Sequence, residues 1–351
     1  VAVSPKILLS VYGKKRVAKF SGDTPPPRIL DCPLNRPWLG TKHERDSLRK
    51  IKPGVTIMPA SETKIDIFTR VTSQIIAALE EGVRPWVKPW KTEAINRPLR
   101  SNGKPYTGIN VLLLWMASCA TGYTSDRWMT YKQADELGGQ VRKGEKGTGI
   151  VYANSFTKKE TAEDGEEFQQ EIYFLKGYTV FNVEQITDLP PEYYSRPAPR
   201  PEPAERIEKA EKFFATIPAV VHHGGNRAYY SDSGDYIQLP SFEAFRDAES
   251  YYATKGHELV HWTSHENRLN RDFGRKKWGD EGYAKEELVA EIGASFLCAD
   301  IGLTPAIRED HAPYIKSWLK VLKDDKRAIF KAAAHAQKAF DYLKQFSGEP
   351  S

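Results

Sequence analysis

Between Asp188 and Ala204 the chain reads DLPPEYYSRPAPRPEPA, a stretch that no regular element can cross. Proline fixes φ and has no amide hydrogen, so a helix or interior strand is broken at Pro190, Pro191, Pro197, Pro199, Pro201 and Pro203. Such a segment is a stiff, extended connector, and it divides the chain into two parts. With 351 residues, each part is long enough to bury a core of its own. The expected division is a leader over 1–57, a first domain over 58–187, a linker over 188–204 and a second domain over 205–351.

The leader differs from the rest in charge. It holds twelve Lys/Arg and four Asp/Glu, a net of +8, against +5 for the whole chain, so the remaining residues sum to −3. Its TPPPR and DCPLNRPW stretches have no sustained periodicity, which predicts disorder. Met58 then reads as a natural start, with a basic arm that binds nucleic acid as the rival reading of residues 1–57. No apolar run approaches the eighteen residues of a membrane span, and no signal peptide is visible. Cys32, Cys119 and Cys298 are isolated, form no metal or redox motif, and fit a reducing, cytoplasmic setting.

Periodicity predicts an α+β fold in both domains. In the first, a helix capped by Ser61 carries Ile65, Phe68, Val71, Ile75 and Leu79 on one face, and VLLLWMASCA is a buried helix. TGIVYANSF and EIYFLKGYTVFNV alternate as a hairpin joined by KKETAEDGEE. The second domain reads as helix ERIEKAEKFFATI, strands AVVHH, RAYYS and DYIQLP, and a long helix from Ser241 to His265, interrupted before Lys255. YAKEELVAEIGASFLCADIG and two further helices follow.

The long helix contains GHELVHWTSH. Positions four apart share a helix face, so His257, His261 and His265 project together. H-E-x-x-H is a zinc-hydrolase signature in which two imidazoles reach one ion and Glu258 serves as general base toward water. A third protein ligand is required. His265 lies about 6 Å further along a straight helix than His261, too far to close a tetrahedron. Glu287 and Glu291 are one turn apart on a helix otherwise rich in Leu288, Val289, Ala290, Ile292 and Ala294. Carboxylates on so apolar a helix require a cation. A ligand from a neighbouring helix is the gluzincin arrangement, with Glu287 as ligand and Glu291 behind it orienting a histidine.

Residues Arg84 to Lys146 hold eleven Lys/Arg and five Asp/Glu, together with Trp86, Trp90, Tyr106, Trp115, Trp128 and Tyr131. Cations interleaved with aromatics suit single-stranded nucleic acid, where bases stack and phosphates pair with Lys and Arg. Trp115, inside VLLLWM, reads as core. The candidate contacts are Trp86, Trp90, Arg100, Lys104, Tyr106, Arg127, Trp128, Lys132, Arg142, Lys143 and Lys146. VRKGEKGTG is a basic glycine-rich turn without the P-loop pattern.

HELVHWTSHENRLNR followed by YAKEELVAEIGASFL resembles the C-terminal zincin domain of ArdC-type antirestriction proteins. ETKIDIFTRVTSQIIAALEEGVRPWVKPW followed by NGKPYTGIN resembles the start of that family's single-stranded-DNA-binding domain. The EELVAE block is also similar to ImmA/IrrE-type peptidases, where the matching first glutamate binds zinc. Lys255 departs from the pattern, which places an uncharged residue there. The resemblance implies an N-terminal α+β ssDNA-binding domain and a C-terminal gluzincin-like metallopeptidase domain. It further implies protection of incoming plasmid or phage DNA from host restriction, Zn2+ or another divalent transition metal as cofactor, and single-stranded DNA as partner. A host protein as peptidase substrate, held in extended form by strand addition to DYIQL as the edge strand of the zincin sheet, and no membrane partner complete the reading. Its rivals are a non-catalytic DNA-binding protein with a structural metal and a repressor-cleaving metallopeptidase.

Overall fold

A computed structural model describes residues 66–87, 96–161, 167–194, 203–274, 279–303 and 312–348. The leader, Ser61, Ile65, Trp90 and residues 195–202 of the linker lie outside this set. Helix α1 (Ile67–Glu80) opens on Asp66, whose carboxylate accepts from the Thr69 amide at 3.1 Å. A carboxylate at this position both satisfies an orphan donor and complements the helix dipole. Val71, Ile75 and Leu79 form its buried face, as the periodicity predicts. Helix α2 (Ile109–Thr121) runs between Gly108 and Gly122, both at positive φ, and buries Val111 to Trp115.

Strand β1 (Trp128–Met129) is followed by the single turn α3 (Tyr131–Glu136) and by β2 (Gln140–Val141). The hairpin is β3 (Thr148–Thr161) with β4 (Glu167–Asn182), in register from Thr148 opposite Val180 to Thr161 opposite Glu167. β1 pairs with the other edge of β4, and β5 (Ile186–Thr187) pairs with β2. Beyond the linker come α4 (Pro203–Ala215), β6 (Val220–His223), β7 (Tyr229–Ser231) and β8 (Tyr236–Leu239). Four helices follow: α5 (Ala248–Trp262), α6 (Glu281–Ile301), α7 (Ala312–Asp324) and α8 (Ala328–Lys344). Among these described residues, no helix is long and apolar enough to cross a membrane.

The structure revises three expectations. DYIQL, expected at the edge of its sheet, is the central strand: β8 runs parallel to β6 and antiparallel to β7. Any strand addition by an extended peptide therefore falls to β6 or β7. Helix α5 begins at Ala248, capped by Asp247, and passes Lys255 without a break. The lysine is tolerated because its ammonium lies over the Phe214 ring, 5.5 Å from the centroid, a cation–π contact that shelters the charge. The two parts of the chain also share one core. α1 packs on α7 and α2 on α8, and Trp86, Trp115, Phe296, Trp318 and Phe340 belong to one continuous apolar cluster. Polar bonds cross the same seam. Thr72 Oγ1 donates to the Lys326 carbonyl at 2.7 Å, and Arg97 donates to Gln337 Oε1 at 3.0 Å.

Candidate metal centre

α5 presents His257 and His261 one turn apart, and α6 crosses it closely enough to bring a third donor alongside. At the crossing, a Cβ on Gly293 would stand 2.9 Å from Val260 Cγ2, so only glycine admits this approach. Glu287, on the same stretch of α6, thereby faces both imidazoles. His257 Nε2 lies 3.1 Å from His261 Nε2 and 3.4 Å from Glu287 Oε2, and His261 Nε2 lies 3.5 Å from Glu287 Oε1. Tetrahedral ligands at zinc bond lengths of about 2.0–2.2 Å are separated from one another by about 3.3–3.6 Å. The two histidine–glutamate separations fall in that range and the histidine–histidine one is slightly shorter, so the donors are close to metal-ligand spacing. They are also the one group of three or more His, Cys, Asp or Glu side chains among the described residues that could hold an ion.

The electrostatics agree with that spacing. Burial pushes the His257 imidazole below its ordinary value, toward the neutral form that coordinates. Burial would raise Glu287, but the two histidines outweigh it and hold the carboxyl well below its usual range. Burial would likewise lower His261, yet Glu287 and Glu286 overcome this and push it up to about 10. Glu258, between the histidines, is buried.

One functional neighbour escaped the sequence reading. His261 Nδ1 donates to Glu286 Oε1 at 3.1 Å, and Glu286 in turn accepts from Arg271 at 2.8 and 2.6 Å. Arg271 is fixed by the Val260 carbonyl at 2.9 Å and Thr263 Oγ1 at 3.1 Å. A carboxylate on the far nitrogen sets the tautomer and orientation of a ligating ring. The signal was the doubled acid of KEEL, whose first member points about 100° away from Glu287 around the helix. Glu291 is buried, and its Oε2 accepts the Trp86 indole N–H at 3.1 Å. His265 lies past the end of α5, where its Nδ1 accepts from the Asn267 amide at 3.2 Å.

The candidate DNA contacts separate by burial. Trp86 and Trp128 are wholly buried and Tyr106 nearly so, which corrects their reading as base-stacking residues. They are core aromatics: Trp128 meets Tyr123 edge-on, and the Arg100 guanidinium covers the Tyr106 ring. Arg100, Lys104, Lys132, Arg142, Lys143 and Lys146 are exposed, while Arg127 is half-buried over the Tyr193 ring. Arg142 is engaged by Glu145 at 2.7 Å. Among the residues whose side chains are described, Tyr131, Tyr152 and Tyr178 are exposed aromatics of the first domain's sheet region, at 53%, 46% and 45%. The Tyr152 and Tyr178 rings stand 5.9 Å apart on one face of the hairpin, with Lys176 directly opposite Tyr152. Alternation in TGIVYANSF and FLKGYTVFNV carries this signal, beyond the Arg84–Lys146 stretch in which cations and aromatics interleave.

Residues 65–181 match the family model of the N-terminal domain of anti-restriction factor ArdC, and residues 208–335 match that of a zincin-like metallopeptidase. The crystal structure of the metal-free antirestriction protein ArdC from plasmid R388 is 47% identical. It covers 81% of this chain and 98% of its own, with a TM-score of 0.68. The chain belongs to the ArdC antirestriction family. The Mn(II)-bound structure of the same ArdC is similar at 45% identity and a TM-score of 0.67, covering 82% of this chain and 100% of that one. An uncharacterized protein of Sinorhizobium fredii, y4eC, is 42% identical over 290 residues, 80% of this chain and 92% of its own length. A DNA primase TraC of Escherichia coli is 39% identical over 307 residues, 82% of this chain but 28% of that protein. The ArdC-like unit is thus a minor part of the primase.

Proposed function

We propose that this ArdC-family protein binds single-stranded DNA through its first domain and holds a divalent transition metal at His257, His261 and Glu287 for peptide-bond hydrolysis. Both activities would protect entering plasmid or phage DNA from restriction. The single observation that carries the metal assignment is the 3.1–3.5 Å spacing of three donors, two of them buried, on two crossing helices. Two imidazoles and a carboxylate suit zinc and also manganese, the ion named for the similar R388 protein.

A divalent ion at these donors supplies Lewis acidity, polarising a carbonyl and lowering the pKa of water. The protein residues do the rest. Glu258 lies between the ligands in sequence but is not one of them, and its carboxylate would take a proton from the attacking water and return it to the leaving amine. Glu286, braced by Arg271, keeps the His261 ring oriented. Glu291, one turn beyond Glu287, acts as a second carboxylate behind the ligands.

Metal analysis of purified variants tests the assignment. His257→Ala, His261→Ala and Glu287→Ala should each lose most of the bound zinc, whereas His265→Ala should stay nearly stoichiometric. Glu258→Gln should retain the ion. In a lysate of a restriction-proficient host, the zinc-loaded wild type should generate protein fragments that Glu258→Gln does not. Zinc retained in Glu287→Ala and lost in His265→Ala would replace the assignment with a three-histidine site. Identical lysate patterns would leave the metal a structural role.

A further inference from the structure

Tyr283, Glu287 and Glu291 follow one another at four-residue intervals on α6, so they form one stripe with the proposed ligand in the middle. Both flanks of that ligand are tied to a single aromatic chain. Below it, the Tyr283 hydroxyl lies 3.1 Å from the hydroxyl of Tyr314 on α7. Tyr314 stacks on Trp318 with centroids 6.4 Å apart, and Trp318 meets the edge of Trp86 at 5.6 Å. Trp86 then closes the circuit above the ligand, donating its indole N–H to Glu291 Oε2 at 3.1 Å. Trp86 belongs to the first domain, 205 residues from Glu291 in sequence.

We propose that Trp86 is a positioning residue of the metal centre, supplied by the first domain to orient the Glu291 carboxylate behind the ligands. The inference rests on the metal assignment above. Two facts make this more than packing. Glu291 is a buried acid, and a buried carboxylate is costly unless its oxygens are hydrogen-bonded. Trp86 is itself wholly buried, so its N–H has no water to turn to and is committed to this carboxylate. Pinning one oxygen of a carboxylate fixes the plane in which the other can act, and a carboxylate behind metal ligands tunes affinity through its orientation. The metal centre of the zincin-like domain would then be completed only when the first domain is docked.

The test uses the full-length protein and Zn2+. Trp86→Phe keeps the ring in the aromatic cluster and removes only the N–H donor. Its Kd for Zn2+ by calorimetry should rise about 10- to 100-fold, the range for losing a partner behind the ligands. Trp318→Phe perturbs the same cluster without touching Glu291. It should lower the Tm while leaving the Zn2+ Kd within about twofold, since packing alone does not set ligand orientation. In wild type labelled with 15N-tryptophan, Zn2+ should shift the Trp86 indole N–H resonance and leave that of Trp318 in place, a measurement that needs no variant to fold. Equal weakening in both variants, an unchanged Kd in Trp86→Phe, or an indole resonance indifferent to Zn2+ would overturn the proposal. His257→Ala separates this failure from that of the underlying site: if it too binds Zn2+ normally, the ligand assignment is at fault rather than the role of Trp86.

Discussion

A histidine held between two carboxylates keeps a proton that any metal must displace. His261 is in this position, pushed up to about 10 by Glu287 and Glu286 against the opposing effect of burial. The direction of the pH effect follows from that shift. In the metal-free protein, the raised value gives stability that is fully present below the ordinary histidine value of about 6.5 and is lost as pH rises through about 10. Metal binding requires the neutral ring, so across this window each ion bound should expel about one proton from His261. Calorimetric Zn2+ titrations at pH 7.5 in buffers of different ionisation enthalpy should report that proton, and apparent affinity should climb about tenfold per pH unit up to about 10. No buffer dependence would show that His261 is neutral before the ion arrives. At this scale the sequence was informative where chemistry and spacing coincide, as in HELVH and the downstream Glu287. It was silent on Glu286, because adjacent acids in KEEL differ only in which way the helix turns them. It was misleading for Trp86, because an indole beside arginines reads alike whether it stacks on a base or lies in a core.

Among the elements, the β3–β4 hairpin is where hydrophobic alternation was read correctly and its consequence was missed. Alternation placed the two strands, and their register brings Tyr152 and Tyr178 to the same face. Burial then shows that these rings, rather than Trp86, Trp128 or Tyr106, are available for stacking. Tyr152→Ala and Tyr178→Ala should each weaken binding of an oligo-dT by about 1–3 kcal/mol in anisotropy titrations, the usual worth of a base stacked on an aromatic ring. Trp128→Phe, a core change, should lower stability first. The wild-type affinity should fall steeply with salt, since Lys104, Lys132, Lys143 and Lys146 are exposed to meet phosphates. Undiminished binding by the double tyrosine variant would move the DNA elsewhere on the domain. The strand DYIQL could not be placed from sequence because a period of two reveals which face is buried but not which neighbours pair.

On the scale of the whole molecule, the proline-rich segment separates the chain in sequence without separating it in space. α1 and α2 close their apolar faces on α7 and α8, and ion pairs join Glu80 to Lys323 and Asp66 to Lys326 across the same seam. If a site-specific protease sequence is inserted between Ser195 and Arg196 and cut, the nicked halves should therefore still co-elute at the mass of the intact chain. Two species resolved by gel filtration would mean that the seam is weak. The shared core could not be read from periodicity, which shows that a face is apolar but not whether its cover lies ten residues away or two hundred. That seam also sets a timetable for synthesis. Thr72 waits for a partner 254 residues downstream. At roughly 5–20 residues per second, the ribosome takes about 13–50 s to supply it. Throughout that interval the parts of α1 and α2 that α7 and α8 will cover stay exposed on the nascent chain, while the β3–β4 hairpin covers the rest. A message truncated before α7 would leave them uncovered for good, so such products should be bound by chaperones and degraded rather than accumulate as a free N-terminal half.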